Sequence, residues 1–449
     1  MSDEWYQRII AGIGRYSRYA LQRLYHMLDR TERGYKVDLR TPLFDKAPRE
    51  EVASELEKAI GTTGFDDFDA IDAHEREKLG PFSIMVPFAK RRDKVEEYTG
   101  GHLDADLELL EQCVQEEMSV LPQRSLRALS PDAAYEAAPR GHRLRGAPWF
   151  TTDASKDTWY RGQANSVRNY LELWPYTLGW RGQANGTNTP KQRTVAMSTK
   201  SETYLSSRVL YPVINALAGK PGFAAWSGPD AVDLAVTEML KTARGRPIIS
   251  GDFESFDATV PRLLLDAVKR IRQYWYGSED VNRIYDIITD YLARGPILVP
   301  GGLMWEDRNG AIASGHVCTN DYGGGVNRLA HRYVAKRAKV TVVRMETLGD
   351  DSITLFSDEV DPKSYAKFLA ELGLVANPDK QFISSDACHF LQNWHSLRYQ
   401  IDGVCRGVRS PMRILNNALS FERWHGDWSK WMVSVRLGLQ CNNAQYHPK

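Results

Sequence analysis

Apolar residues recur along this chain with two distinct periods. Over residues 4–29, Ile9, Ile10, Ile13, Tyr16, Leu21, Leu24 and Tyr25 fall roughly on one helical face, with arginines on the other. A packed surface helix is the expectation there. Residues 45–80 are charged and helix-like, with interruptions at Gly61 and Gly64. The stretch 128–150, rich in Ala, Pro, Gly and Arg, reads as a connecting segment. The pentapeptide RGQAN occurs at Arg161–Asn165 and again at Arg181–Asn185. With little similarity around the two copies, it does not define a repeat architecture.

From about Arg246 the pattern changes. RPIISGDF reads as a strand ending at acidic residues, and residues 261–293 read as helix. Residues 312–337 open on a Ser-Gly turn and continue as helix. VTVVRMETLGDDSITLF predicts two strands joined at Gly349-Asp350-Asp351, a hairpin in which glycine supplies backbone freedom. Residues 362–373 are again helical, and CHFLQNWHSLRYQ predicts a second short hairpin. Short strands alternating with longer helices place this half in the α+β class.

The 449 residues, 42% apolar and 26% charged, are ample for a sizeable core and are ordinary for a globular protein. The length suits two to four domain-sized units or one multi-lobed enzyme. A net charge of +1 argues against a surface that binds polyanions everywhere. The distribution says more. Lys and Arg outnumber Asp and Glu by 12 to 7 over residues 151–250 and by 8 to 3 over 395–449, whereas residues 251–394 carry 16 against 20. Basic segments flanking an acidic middle suit the local lining of a nucleic-acid channel, although charge scatter gives the same counts. The five cysteines are dispersed, with no zinc-type spacing, which suggests a reducing compartment and no structural metal. Neither a signal-peptide core nor 18 uninterrupted apolar residues is found, so a soluble protein is expected.

The chemistry concentrates at three acidic positions. Asp252 closes an apolar run, and Asp350 and Asp351 lie at the presumed hairpin tip. Phosphoryl transfer to a 3′-hydroxyl uses one metal to lower the pKa of the attacking oxygen and another to stabilise the leaving pyrophosphate. Mg²⁺ prefers oxygen ligands and keeps waters, so two or three carboxylates suffice when substrate phosphates complete the shell. Asp252–Asp257 alone, or GDD alone, is equally at home in a solvated turn. Their order, with SGHVCTNDYGGGVN between them at residues 314–327, makes the signal.

The series DFESFD, SGHVCTNDYGGGVN and LGDDS resembles motifs A, B and C of viral RNA-dependent RNA polymerases, nearest in flavour to the picobirnavirus and partitivirus group of double-stranded-RNA viruses. TPKQRTVAM (189–197) resembles the basic motif F, LGLVANPDKQF motif D and HFLQNWHS motif E. The resemblance covers residues 189–397; residues 1–150 show none.

The resemblance implies a right-hand polymerase that works with two Mg²⁺ ions, Mn²⁺ serving in their place, on RNA and nucleoside triphosphates. Asp252 and Asp350 would be the principal metal ligands, with Asp351 as an auxiliary. Asp257 would sit near the ribose 2′-hydroxyl, and Ser314, Gly315, Thr319 and Asn327 would help hold sugar and template. Lys191 and Arg193 would neutralise the triphosphate as point charge and bidentate fork. Lys200 and Arg208 are weaker candidates for the same tunnel. Lys380 would protonate pyrophosphate as a general acid. The family setting further implies a virion interior or host cytoplasm, with a capsid protein as partner and no membrane.

One position departs from the pattern. Four residues after the motif B threonine, where relatives carry a polar residue that contacts Asp257 or the sugar, this chain has Gly323 in the run Gly323-Gly324-Gly325. Three glycines weaken a helix by about 0.5–1 kcal/mol each relative to Ala. Either sugar selection relies more on Asp257 and Asn327, or the segment is unusually mobile.

The division expected is an N-terminal extension with part of the fingers over 1–150, fingers over 151–245, palm over 246–400 with a fingers insertion at about 261–310, and a thumb over 401–449. That thumb is short, so part of the closure is expected from the N-terminal region. A reverse transcriptase is the nearest enzymatic alternative, but it would normally carry Tyr-x-Asp-Asp where this chain has Leu348-Gly349-Asp350-Asp351. A silent RNA-binding scaffold is the other, and three retained aspartates argue against it.

Overall fold

A computed structural model describes residues 18–42, 44–139, 147, 170–423 and 428–449. The first RGQAN copy and residues 4–17 of the expected N-terminal helix lie outside the described residues; Arg18–Arg33 is helical. Among the described residues ten strands follow in chain order: β1 (Tyr176–Gln183), β2 (Lys191–Met197), β3 (Ile248–Gly251), β4 (Ile297–Val299), β5 (Leu303–Trp305), β6 (Val342–Leu348), β7 (Asp351–Phe356), β8 (Phe382–Ser384), β9 (Ala387–Phe390) and β10 (Asn393–Ser396). They form a four-stranded sheet of order β2-β1-β4-β5, a second of order β6-β7-β3-β8, and the hairpin β9-β10.

The second sheet carries the acidic positions, and its register does the placing. β3 runs antiparallel to β7, with Gly251 opposite Ser352 and Ile248 opposite Leu355. One step further along that register, Asp252 comes beside Asp351. β6 and β7 close as a hairpin on the pair Leu348↔Asp351, so Gly349 and Asp350 form its turn. Gly349 takes φ +61°, a conformation that costs a glycine little.

Behind this sheet lies the helix Thr319–Arg337, which packs on β6 and β7 and is buried along most of its length. All three of its consecutive glycines are buried, in unbroken helix. An ideal Cβ at Gly323 would lie 3.1 Å from Gly349 Cα, and one at Gly325 would lie 2.9 Å from a Val268 methyl. The glycines are therefore close-approach positions. They let the helix press against the Gly349–Asp350 turn on one side and the helix Arg262–Tyr276 on another.

The stretch expected as one helix over 261–293 is two, Arg262–Tyr276 and Glu279–Arg294, because Gly277 terminates the first at φ +60°. The connecting stretch 128–150 contains a helix at Pro131–Ala137, capped by the Ser130 hydroxyl. The charged 45–80 region divides at its glycines into helices Arg49–Ile60 and Asp66–Glu77.

The N-terminal part folds back over the C-terminal part. Ala53 and Leu79 pack with Met412, Leu415 and Leu419 of the helix Pro411–Leu419. Asp72 accepts hydrogen bonds from the Ser410 hydroxyl and the Met412 N–H, and Thr41 donates to the Ala418 carbonyl. Tyr98 reaches the other way, donating to the Ile312 carbonyl and receiving the Ser314 N–H. Among the described residues no helix is long and apolar enough to cross a membrane.

Candidate active site

Asp252 and Asp350 are exposed, whereas Asp351 and Asp257 are half-buried. The backbone of Asp252 is bracketed by one side chain: its N–H donates to Gln381 Oε1 at 3.0 Å, and Gln381 Nε2 donates back to its carbonyl at 2.9 Å. The turn carrying Asp350 is held from behind. Asn327 Nδ2 lies 3.1 Å from the Gly349 carbonyl, 3.0 Å from that of Asp350 and 3.4 Å from that of Asp351. Asn327 is fixed in turn by its helix, where His331 contacts its carbonyl at 2.8 Å and Tyr365 contacts the far side of that imidazole at 2.9 Å.

The carboxylates sense one another. Burial and the nearby charges of Asp350 and Asp252 push the Asp351 carboxyl up to about 7, against the pull of Arg413 and Arg193. Burial and Asp350 likewise raise Asp257 to about 7, with Arg193 opposing. Asp252 is raised by burial and, after the counteracting Lys380, by Asp350. Like charges gathered at one cleft destabilise one another unless a cation or a proton joins them. The donor set is hard oxygen only, the chemistry Mg²⁺ and Mn²⁺ favour. Among the described residues no three His, Cys, Asp or Glu side chains already form a cage around a metal. Mg²⁺ does not need one, because waters and substrate phosphates complete its shell.

The basic strand β2 faces this centre. Lys191 and Arg193 are exposed on it, and Arg193 acts on both Asp257 and Asp351. Arg193 also lines a cavity of about 530 Å³ with Arg181, Gln392, Arg409, Arg413 and Arg436. Burial and, after it, the neighbouring Arg413 lower the Arg409 pKa; Glu75, paired with Arg413 at 3.4 Å, and Glu422 also line the cavity, where arginines outnumber them. Such a cavity suits phosphate.

The other expected residues meet different surroundings. Ser314 donates its hydroxyl to the Thr194 carbonyl at 3.2 Å, and Thr319 donates to the carbonyls of Ala313 and His316 at 2.8 and 2.7 Å. With Asn327, these donors face the chain's own carbonyls and shape the loop and turn. Gly315 donates its N–H to the Ala196 carbonyl at 3.1 Å, and a Cβ there would lie 2.3 Å from that oxygen, so only glycine fits. Lys200 is buried, its pKa pushed down to about 8 by burial, and Arg208 donates Nε to the Leu129 carbonyl at 3.0 Å. Lys380 is exposed and ion-paired with Glu254 at 2.9 Å, which raises its pKa. Sequence reasoning passed over Gln381, Glu254, Arg409, Arg413 and Asn320. Gln381, Glu254 and Asn320 lie inside the quoted motifs and could have been found there; Arg409 and Arg413 lie beyond the last of them.

An antiparallel sheet bearing paired acids at a hairpin tip, backed by a helix and faced by a basic strand, defines a palm-type nucleotidyltransferase. Comparison with known proteins carries this further. The family model for viral RNA-dependent RNA polymerase matches residues 185–415. The chain is 26% identical over 437 residues, 91% of its length and 79% of the relative's, to the potential RNA-dependent RNA polymerase of a human picobirnavirus (strain Human/Thailand/Hy005102/-). It matches the crystal structure of the RNA-dependent RNA polymerase of a human picobirnavirus with a TM-score of 0.84 at 22% identity, covering 95% of this chain and 84% of that one. An insertion-loop deletion mutant of such a polymerase matches with a TM-score of 0.85 at 22% identity, covering 95% and 87%. The chain belongs to the viral RNA-dependent RNA polymerases. It is a nucleotidyltransferase acting on RNA and nucleoside triphosphates, in a family that works with divalent metal ions, and the reverse-transcriptase and scaffold readings fall away.

Proposed function

We propose that Asp252, Asp350 and Asp351 hold two Mg²⁺ ions at which nucleotides are joined to an RNA 3′-end. The observation that carries this is the strand register that brings β3 and the hairpin turn together, where, after burial, Asp350 raises both Asp252 and Asp351 and Asp252 adds to the raising of Asp351. When bound, the ions supply activation of the attacking hydroxyl and charge stabilisation at the leaving pyrophosphate.

The protein's own residues do the rest. Lys191 and Arg193 receive the triphosphate, the guanidinium as a planar two-pronged donor. Asp257 addresses the ribose. Ser314, Gly315, Thr319 and Asn327 keep the loop and the acidic turn in place, which is how they serve sugar and template. Lys380 transfers a proton to the leaving pyrophosphate once released from Glu254. The arginine-lined cavity takes RNA or triphosphate phosphates.

On this reading residues 246–400 are the palm, 151–245 the fingers and 401–449 a short thumb. The first 150 residues support that thumb through the packing of Ala53, Leu79 and Asp72 on the helix Pro411–Leu419. A particle interior, with a capsid partner, is the natural setting for such an enzyme in a double-stranded-RNA virus.

The test is primer extension on an RNA template with Mg²⁺ or Mn²⁺. Asp350→Asn should abolish nucleotide addition with the melting temperature retained; full activity would overturn the metal assignment. Asp257→Ala should relax the choice of ribose over deoxyribose, and unchanged discrimination would move that role elsewhere.

A further inference from the structure

A polymerase that makes RNA must recognise a hydroxyl, and a hydroxyl both donates and accepts. Asp257 in its ionised form, the one that divalent cations bound beside it would favour, accepts only. Full recognition needs a donor as well, within reach of Asp257 and of the catalytic turn. Gly323 cannot supply it, because a side chain there would begin 3.1 Å from Gly349 Cα, with Phe256 Cε1 at 3.6 Å. Nor do the neighbouring amide and hydroxyls serve in this conformation: Asn327 faces three turn carbonyls and Thr319 two loop carbonyls.

One turn before Gly323 on the same helix stands Asn320, and residues three apart share a helix face. Asn320 is exposed in a helix whose following residues are buried. Its Oδ1 lies 3.3 Å from where a Cβ on Gly349 would stand, so its amide borders the turn that presents Asp350. Among the described residues this amide has no hydrogen-bond partner. Asp257 is close by: Phe256, its chain neighbour, contacts the Gly323 position, and its carboxyl feels the charge of Asp350.

We infer that Asn320 is a sugar-selecting residue of this polymerase, its amide completing with Asp257 the recognition of the incoming nucleotide's ribose 2′-hydroxyl. The inference rests on the reading of Asp252, Asp350 and Asp257 given above. A site that hydrogen-bonds a substrate hydroxyl discriminates against the analogue lacking it, since its polar groups are then left unpaired.

The experiment compares single-nucleotide incorporation from a ribonucleoside triphosphate and its 2′-deoxy analogue on one primed RNA. For Asn320→Ala the ratio of the two kcat/KM values should fall about tenfold, the scale of one lost hydrogen bond. Asn320→Gln, which keeps the amide, should recover part of it. A ratio unchanged in Asn320→Ala, or equal loss on both substrates, overturns the inference and leaves Asn320 a support of the turn. Asp350→Asn in parallel separates the two failures. If that variant stays active, the underlying reading is wrong; if it is inactive while the Asn320→Ala ratio is unmoved, only the role of Asn320 is.

Discussion

Asn327 holds the turn that presents Asp350: its side-chain amide lies 3.0 Å from the Asp350 carbonyl and 3.1 Å from that of Gly349. Asn327 is fully buried, so removing the amide leaves carbonyls without their donor. Asn327→Ala should lower stability by about 1–3 kcal/mol and reduce activity further than that loss of folded protein accounts for. Asn327→Asp should be worse, setting an anion against carbonyl oxygens beside the acidic turn. Melting temperature and turnover measured on the same preparations check both; an Asp variant as active as wild type would contradict the clamp.

Gly323 and Gly438 make a matched pair. Both are helical, but Gly438 has nothing within 4 Å of its ideal Cβ, whereas Gly323 faces backbone at 3.1 Å. Alanine should stabilise the exposed helix at 438 by about 0.5–1 kcal/mol. At 323 the same propensity gain opposes an overpacking cost of about 1–3 kcal/mol, and backbone cannot rotate away, so the cost wins. Thermal denaturation should show shifts of opposite sign. Activity should fall at least tenfold in Gly323→Ala only.

A pH effect follows from Glu202 and His316, fully buried together at 3.3 Å. Burial raises Glu202 to about 7 and lowers His316 to about 3, so the pair is neutral in the folded protein. The Cys318 N–H donates to His316 Nδ1, consistent with an uncharged ring. An unfolded glutamate ionises near 4.5, so the folded state binds more protons between there and about 7, and stability contributed by Glu202 is lost as pH rises through that window. The histidine acts oppositely, its contribution lost as pH falls from 6.5 toward 3. Glu202→Gln should remove the first slope and keep the second. Denaturant midpoints at pH 5 and 7.5 should drop between the two for wild type relative to the variant; parallel behaviour would refute the assignment.

Glu254 holds Lys380 in an exposed ion pair and raises its pKa. Glu254→Gln should therefore move the alkaline limb of the pH–rate profile toward lower pH. An unmoved alkaline limb would remove Lys380 from proton transfer.

What could be read in the sequence was what is local. Asp252 at a strand end, Gly349 at a turn and the Ser314-Gly315 entry to a helix each follow from a few neighbouring residues, and the structure has β3, the β6–β7 hairpin and the helix Thr319–Arg337 there. Gly277 ended a helix that the apolar spacing alone carried through. Contacts made across the chain were not legible. Gln381 meets Asp252 from 129 positions away, and Asp72 meets Met412 from 340. Lys200 and Arg208 show the converse: basic residues near a basic motif, one buried and the other turned to Leu129. The glycine run looked like weakness because its reason, Gly349 against Gly323, belongs to packing.

The account turns on Asp252, Asp350 and Asp351 as one metal centre. The most direct measurement is the number of Mn²⁺ ions retained in equilibrium dialysis by the protein with primed RNA and a non-hydrolysable nucleoside triphosphate. Two are predicted for wild type, with at least one lost from Asp350→Asn. Equal retention by the two proteins would contradict it.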